Sequence, residues 1–257
     1  MIITLLTDFG RGSPYAAAMR GVILGMLPGV RLEDISHEIP AGDVDYAAWV
    51  LKESAPYYPA GTVHTVVVDP GVGGSRRVLG VESRGQYYLA PDNGVLKYLF
   101  HGDASARVMH LNRREFCRSP VCPTFHGRDI FAPLAAHLAM GKTLDELGEP
   151  AEPEIRGRVA LPVRHRESLE GEIVFIDSFG NAVTNLEASL ISEEPAEIRV
   201  RSRSIQRVSV TYSDEPPGTL MALIGSSGCL EIAVNQGHAA NTLGIRTGGA
   251  VHVRFTE

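Results

Sequence analysis

The sequence predicts an α/β protein in which an N-terminal α/β sheet domain, residues 1–160, precedes a small antiparallel β-barrel-like C-terminal domain, residues 161–257. In the first part, short apolar segments alternate with segments of helical periodicity, which is typical of a mostly parallel sheet. In the second part, short strand candidates follow one another between Gly and Pro turns without a helical pattern. A charged segment with prolines at both ends, residues 150–162, is typical of a linker between the two.

Strand and helix signals alternate along the N-terminal domain. Runs of β-branched and other apolar residues predict strands at residues 2–6, 62–68, 78–82 and 86–89, the last two joined at Arg84-Gly85. Apolar residues at helical spacing predict helices at residues 14–27, 43–51 and 130–140. Pro14 at the first helix start, Asp43 as an N-cap and Gly141 after the last helix set their boundaries.

The C-terminal domain contains six strand candidates, at residues 172–176, 197–200, 207–212, 220–224, 230–234 and 250–255. Strands this short, separated by Gly and Pro turns, are typical of a small sandwich or barrel. The densest basic stretch, residues 199–207, alternates arginines with small and apolar side chains. That alternation predicts the solvated face of a strand and not a nucleic-acid site.

Composition narrows the functional classes. The chain has 257 residues, 44% of them hydrophobic, and a formal net charge of −6. No apolar run approaches the ~20 residues that span a bilayer, and the start MIITLLTDFG lacks the basic leader of a signal peptide. The acidic balance disfavours nucleic acid, and three cysteines without zinc-like pairing, Cys117, Cys122 and Cys229, fit a reducing compartment. We therefore expect a cytoplasmic protein that binds a small molecule.

Polar clusters lie at the ends of predicted elements, where ligands bind in open α/β sheets. The clusters begin at Thr7, Asp69, Pro91, Thr124, Asp177 and Gly225. Each has a structural alternative when taken singly: Asp8 could cap a helix, Gly and Pro could form only a turn, and His126 could only hold a loop. Their joint position at strand ends favours a functional site.

Two common kinds of site are disfavoured. The glycine-rich segment DPGVGGSRR from Asp69 matches neither GxxxxGK[ST] nor GxGxxG, so its spacing argues against a nucleotide-phosphate loop. A metal held by Asp8, Asp69, His126 and Asp129 lacks the support of paired-His or HExxH spacing. We expect no metal.

Taken in order, these segments resemble the S-adenosyl-L-methionine (SAM) hydroxide adenosyltransferases, SAM hydrolases that form adenosine and are relatives of the fluorinases and chlorinases. The resemblance runs through TDFG, DISHEIP, DPGVGGSRR, PDNG, FHGRDIFAPLAAHLA, DSFGNAVTN and GSSGCLEIAVNQGHAAN. It implies hydrolysis of SAM to adenosine and L-methionine without a cofactor. It also implies a homotrimer in which SAM lies where one subunit's N-terminal domain meets a neighbour's C-terminal domain.

The resemblance assigns the activation of water to Asp69, Arg76 and His126. Arg77 is the adjacent alternative to Arg76, and the motif spacing favours Arg76. Halogenases lack this Asp and Arg and carry Tyr followed by Ser or Gly where this chain has His126-Gly127. The set present here therefore implies water as the nucleophile. The alternatives are a chlorinase- or fluorinase-like halide transferase and a non-catalytic SAM- or adenosine-binding protein.

The resemblance also implies the ligand contacts. Asp8 corresponds to the residue that holds the ribose hydroxyls, a task suited to a carboxylate with its two acceptor oxygens. Phe179 and Asn181 are implied at the adenine, Asp177 and Ser226 near the methionine part, and Glu231, Val234 and Asn235 as completing the site. Gly127 is a further implied substrate contact. Ser13 is a departure, because many relatives carry Asp at this position and use it to hold methionine.

Overall fold

A computed structural model describes residues 1–191 and 194–255 and divides the chain after Val159 into two units, each described by itself below. Within residues 1–159, all of them described, seven strands form one sheet in the order β2-β1-β3-β5-β4-β6-β7. The strands are β1 (Ile2–Thr7), β2 (Arg31–Ser36), β3 (Val63–Val67), β4 (Val78–Ser83), β5 (Gln86–Pro91), β6 (Arg107–His110) and β7 (Glu149–Pro150). β1, β2, β3 and β5 run parallel, and β4, β6 and β7 extend the sheet with antiparallel pairs.

Helices cover both faces of this sheet. They are α1 (Tyr15–Met26), α2 (Val44–Ser54), α3 (Lys97–Gly102), α4 (Ala132–Ala139) and α5 (Leu144–Leu147). Ile3 and Leu5 of β1 face a core that includes Met19 of α1 and Leu134 of α4. Leu6 faces the opposite core, which includes Ala47 and Leu51 of α2. Because both faces are covered, every residue of β3 is buried, as its almost entirely β-branched sequence predicts.

The predicted N-terminal elements are confirmed, with additions. Asp43 caps α2 by accepting a hydrogen bond from the Tyr46 amide at 2.9 Å. Arg84 and Gly85, with φ of 50° and 75°, form the tight turn between β4 and β5. The sequence predicted none of β2, β6, β7, α3 and α5, all of which are short. β2 is also largely polar, because it is an edge strand. The helix predicted from residue 130 begins with one π-helical turn, Gly127–Phe131, before α4.

The second unit has nine strands within its described residues, 160–191 and 194–255. They are β8 (Val163–Arg164), β9 (Ser168–Ile176), β10 (Ala182–Glu187), β11 (Pro195–Val200), β12 (Arg203–Ile205), β13 (Val208–Ser209), β14 (Leu220–Ile224), β15 (Cys229–Val234) and β16 (Ala250–Phe255). The order is β12-β11-β16-β9-β10-β15-β14-β13, with β8 on β9. The strands curl around one apolar core, and β12 lies against β14, so the sheet nearly closes into the expected barrel.

Two expectations for the second unit were wrong. A helix was not predicted there, yet α6 (Ala239–Leu243) forms between the His238 ring, whose Nδ1 accepts from the Asn241 amide, and Gly244 in the left-handed region. Five residues are too few to give a periodic signal. The strand predicted at residues 207–212 is only β13, which pairs in parallel with β14 and gives way to a 3-10 turn, Tyr212–Asp214.

No helix in the described part of the chain combines the length and the apolar character needed to cross a membrane.

Candidate active site

Three acidic residues follow parallel strands at one edge of the first sheet. Asp8 comes after β1, Asp69 lies just beyond β3, and Asp92 follows β5. The register pairs Thr7 with Val67 at the ends of β1 and β3. Ligands bind at this edge in open α/β sheets, so the strand order itself collects these side chains.

Asp69 and Arg76 form a bidentate ion pair inside the first unit. Arg76 Nε lies 3.0 Å from Oδ1 and 2.9 Å from Oδ2 of Asp69, and Arg76 Nη2 lies 2.5 Å from Oδ2. Only 4% of the Asp69 side chain and 11% of the Arg76 side chain are exposed. A planar guanidinium matches a carboxylate in this two-point geometry, which fixes the orientation of both groups.

The same guanidinium reaches His126. Arg76 Nη2 lies 2.7 Å from His126 Nδ1. Since an arginine has only donors, Nδ1 must accept, and the imidazole is neutral with its proton on Nε2. His126 therefore offers an N–H donor from its outer nitrogen, and the carboxylate of Asp69 is the acceptor of the trio.

The electrostatics around His126 agree with the neutral form. Burial, followed by the positive charge of Arg76, lowers the pKa of His126 below its ordinary value of 6.5. The negative charges of Asp69 and Asp129 oppose this shift and are smaller causes. The imidazole therefore stays unprotonated at neutral pH.

Glycines shape the loop that carries Asp69 and Arg76. Gly73 has a φ of +77°, and a Cβ on it would lie 2.5 Å from the Pro123 carbonyl oxygen. A side chain at this position is excluded twice, by backbone conformation and by contact. The loop therefore packs directly on the segment that leads to His126.

Arg77 points to a different acid. Its Nε and Nη2 lie 3.1 and 2.7 Å from Oδ2 of Asp92, a side chain with no exposed surface. Asp92 also accepts from the amides of Glu154 and Ile155 at 3.0 and 3.2 Å. Of the two adjacent arginines, Arg76 is the one that the structure brings to Asp69 and His126. Arg77 instead binds Asp92, which also holds the backbone of residues 154–155 near the end of β5.

Arg76 and His126 also line a cleft of about 480 Å³, together with Ser75, Val121 and Pro123. The polar trio is thus buried on the side of Asp69 and open on the side of His126. Water can reach the imidazole from this cleft.

Asp8 and Ser13 flank the turn after β1. Asp8 Oδ2 accepts from the Gly42 amide at 2.8 Å, and Gly42 lies beside Pro70 in the Asp69 loop. Asp8 therefore does not cap α1, which has Pro14 as its N-cap. Ser13 Oγ donates to the Gly10 carbonyl at 3.3 Å and is half-buried.

Gly127 is buried against aromatic side chains. A Cβ on Gly127 would lie 3.1 Å from the Met19 sulfur and 3.3 Å from the Phe9 ring. Phe9, Tyr15 and Phe125 pack edge to face, with centroid distances of 5.1 to 6.0 Å. Because Phe9 follows Asp8 and Phe125 precedes His126, these contacts pack the two loops against each other.

In the second unit, the turn after β9 is organised by Asp177. Its Oδ1 accepts from the amides of Phe179 and Asn181 at 2.9 and 2.8 Å, and its Oδ2 accepts from Asn181 Nδ2 at 3.0 Å. Gly180 has a φ of +85° and lies directly against the His238 ring. The Phe179 ring is 74% exposed, so it projects from a rigid turn and is free to stack on a ligand.

Tyr212 joins this turn to Glu231. Its hydroxyl donates to Glu231 Oε1 at 2.5 Å and lies 3.5 Å from Asn181 Nδ2. Burial is the main cause that raises the pKa of Glu231, and the Asp177 charge adds to it, while the Tyr212 bond opposes it. Asp177, Asn181 and Glu231 thus form one polar cluster.

The remaining sites named from the sequence lie at the ends of β14 and β15 in the second unit. Ser226 is exposed in the turn that includes Gly225, and a Cβ on Gly225 would lie 2.7 Å from Glu231 Oε2. Val234 and Asn235 are buried at and just after the end of β15, and Asn235 Nδ2 donates to the Glu215 carbonyl at 2.6 Å.

Sequence reasoning missed three groups. Tyr212 was placed in a strand, and its pairing with Glu231 has no sequence signal. Asp92 was read within a turn, whereas it is a buried ion-pair partner. Asp129 was considered only as a metal ligand, yet its carboxylate is buried and hydrogen-bonded beside His126. Residues 1–191 and 194–255 contain no group of three His, Cys, Asp or Glu side chains placed to hold a metal ion.

Comparisons with known proteins place this geometry in a family. Residues 3–148 match the SAM hydroxide adenosyltransferase N-terminal domain, and residues 171–252 match the corresponding C-terminal domain. The chain is 37% identical over 259 residues to a protein of Salinispora tropica named (R)-S-adenosyl-L-methionine hydrolase, covering 98% of this chain and 97% of the relative. It is 37% identical to a protein of the same name from Thermus thermophilus, covering 98% of each chain.

More distant proteins and solved structures agree with this placement. A fluorinase of Nocardia brasiliensis is 25% identical over 98% of this chain and 96% of its own length. The structure of an uncharacterized conserved protein from Thermotoga maritima matches with a TM-score of 0.91 at 34% identity, covering 99% of this chain and 100% of that chain. The predicted fold class and the predicted family are both confirmed, and the chain belongs to the SAM hydroxide adenosyltransferase family.

Proposed function

We propose that this protein is an enzyme that hydrolyses SAM to adenosine and L-methionine, by attack of water on the 5′ carbon. The observation that supports this most directly is the contact chain from Asp69 through Arg76 to His126. Proteins that share more than a third of its residues over nearly their whole length carry the name (R)-S-adenosyl-L-methionine hydrolase.

Water is the difficult partner in this reaction, because its pKa near ~15.7 makes it a poor nucleophile. Asp69 is the acceptor for a hydrogen bond or proton from water, since its Oδ1 takes only one Arg76 bond and keeps a second lone pair. The Nε2–H of His126 and the guanidinium of Arg76 stabilise negative charge that develops on the attacking oxygen.

The leaving group needs no protonation. Carbon–sulfur cleavage at the sulfonium of SAM releases a neutral thioether, so the site has no use for a general acid. Its task is to hold one water in line with the 5′ carbon at about 3 Å, which contributes through proximity. A trio locked by a bidentate ion pair suits this task because its groups do not reorganise during attack.

Water is favoured over halide on charge grounds. A buried carboxylate close to the nucleophile position repels an anion, and only 4% of the Asp69 side chain is exposed to water that could screen that charge. The same carboxylate attracts a water hydrogen. The fluorinase relatives are also more distant, at 22% to 27% identity.

The second unit would hold the rest of the substrate. In this proposal, Phe179 stacks on adenine, Asn181 bonds its edge, and Asp177, Ser226, Glu231, Val234 and Asn235 complete the binding surface. Asp8 holds the ribose hydroxyls. We further propose that the enzyme is a cytoplasmic homotrimer with the substrate site between neighbouring subunits, and that it works without a cofactor or a metal.

The test uses purified protein and SAM in ¹⁸O-labelled water. The products are separated by chromatography, and their masses and ¹⁸O content are measured by mass spectrometry. We expect adenosine with label in its 5′ hydroxyl. No adenosine above a heat-inactivated control would overturn the proposed activity. A 5′-halogenated nucleoside formed in the presence of chloride or fluoride would instead assign halide transfer.

A further inference from the structure

Asp129 is a buried carboxylate that the mechanism above does not use. It lies on the π-helical turn Gly127–Phe131, three residues after His126, and its side chain is 1% exposed. Oδ1 and Oδ2 accept from Arg128 Nε and Nη2, both at 2.7 Å. Arg118 Nε lies 3.4 Å from Oδ1. Two arginines therefore compensate one buried charge.

Asp129 also holds the chain that leads to His126. Its Oδ2 accepts from the Cys122 amide at 2.9 Å, its own carbonyl accepts from the Arg118 amide at 2.9 Å, and its own amide donates to the Phe125 carbonyl at 3.3 Å. One residue thus binds the segment before His126 at three points along the backbone. The orientation of this segment relative to the π-helical turn depends on these bonds.

The segment held in this way is the one that contacts the Asp69–Arg76 loop. The Pro123 carbonyl packs against Gly73, and the Phe125 amide donates to the Cys122 carbonyl at 3.2 Å. A shift of the Cys122 backbone would therefore displace Pro123, which packs on the loop of Arg76, and Phe125, which precedes His126.

We propose that Asp129 is a positioning residue, which fixes the turn before His126 so that Nδ1 of the imidazole faces Nη2 of Arg76. This inference rests on the proposed function for its effect on turnover, but its effect on the imidazole is independent of any reaction. Three N–H donors bond the Asp129 carboxylate through both of its oxygens, and the Arg118 guanidinium lies 3.4 Å from Oδ1, so an acceptor with two oxygens is required. An amide would direct its NH₂ group at one of those donors and leave it unpaired.

The experiment compares Asp129→Asn with wild-type enzyme. NMR of ¹⁵N-labelled histidine in the absence of substrate reports the tautomer of His126, and steady-state kinetics report turnover. We expect the single Nε2–H tautomer of the wild type to become a mixture in the variant. We expect kcat to fall on the order of 10- to 100-fold with KM for SAM within about 3-fold, because binding groups elsewhere are untouched.

Two further variants separate positioning from general damage. Asp103→Asn removes a carboxylate that bonds Ser83 and Ser105 in a distant turn, and it should leave both readouts unchanged. Arg128→Lys keeps the charge but loses the two-point contact with Asp129, and since Arg128 is half-buried this variant should fold. We expect it to shift the His126 tautomer toward a mixture and to lower kcat by a smaller factor than Asp129→Asn.

An unchanged His126 tautomer in both Asp129→Asn and Arg128→Lys would overturn the proposal, whatever happens to kcat. So would an equal fall of kcat in Asp103→Asn. If wild-type enzyme produces no adenosine, the proposed function fails, while the NMR comparison still decides whether Asp129 orients His126.

Discussion

Nη2 of Arg76 lies 2.5 Å from Oδ2 of Asp69 and 2.7 Å from Nδ1 of His126, so one nitrogen bridges a carboxylate and an imidazole that are 57 residues apart in sequence. The bridge determines what each neighbour can do. It uses the inner lone pair of His126 and leaves that residue a donor. It compensates the charge of Asp69 and leaves that residue an acceptor.

Replacing Arg76 by lysine should therefore remove most turnover. A single ammonium cannot make two parallel bonds to Asp69 and also reach His126, so both groups lose their fixed orientation. We expect Arg76→Lys to lower kcat on the order of 100-fold, measured as adenosine release at saturating SAM. Arg77→Lys is the matched control, because Arg77 binds Asp92: it should lower the free energy of unfolding while retaining kcat. Equal kcat losses in the two variants would contradict the assignment.

The sheet edge was predictable from the strand pattern, whereas the set of residues that meet there was implied only by the family resemblance. Asp8 and Asp69 lie after strands whose apolar sequences are recognisable, and parallel strands bring their carboxyl ends together. Which arginine reaches Asp69 depends on the side from which each leaves the chain before β4, and adjacent residues point in opposite directions. The pairing of Tyr212 with Glu231 joins residues 19 apart through a 3-10 turn that no periodic pattern marks.

The pH dependence of turnover should follow the protonation of His126. Below its pKa the imidazole carries a proton on Nδ1, can no longer accept from Arg76 and is repelled by it. Because burial and Arg76 lower this pKa below 6.5, we expect the acid limb of kcat/KM to have its midpoint below pH 6.5. The measurement is kcat/KM for SAM between about pH 4.5 and 9. A midpoint above 6.5 would contradict His126, with its lowered pKa, as the group that controls the acid limb.

Gly73 should be intolerant of alanine. An added Cβ would meet the Pro123 oxygen at 2.5 Å, in a backbone conformation with φ of +77°. Gly61 has a similar φ of +81°, but no atom lies within 4 Å of its ideal Cβ position. We expect Gly61→Ala to cost about 1 kcal/mol of unfolding free energy from backbone strain alone. Gly73→Ala should cost more and also lower kcat, as urea unfolding and turnover assays would show. Similar kcat values for the two variants would contradict the close packing of these loops.

His64 should make the first unit less stable in mild acid. It is fully buried in β3, bonds Thr4 Oγ1 at 2.9 Å and stacks on Tyr88. Burial lowers its pKa from 6.5 to about 4. The unfolded chain therefore binds the extra proton first, and stability is lost as pH falls from about 6.5 to about 4, by at most about 3 kcal/mol. Urea unfolding at constant protein concentration should show a flatter dependence over this window in His64→Gln. An equal slope in both proteins would exclude His64 as the cause.

A substitution at Ser13 should strengthen substrate binding instead of weakening it. Its hydroxyl bonds the Gly10 carbonyl at 3.3 Å, and the family resemblance implies that this position lies at the methionine end of the substrate. A carboxylate there would attract the ammonium group of SAM, and a half-exposed ion pair contributes about 1 kcal/mol. We therefore expect Ser13→Asp to lower KM about 5-fold at low salt with kcat unchanged. Ser13→Asn is the matched control because it has the same shape without the charge, and it should leave KM near the wild-type value. If both variants change KM alike, or if the gain persists at high salt, the ammonium of methionine does not lie near residue 13.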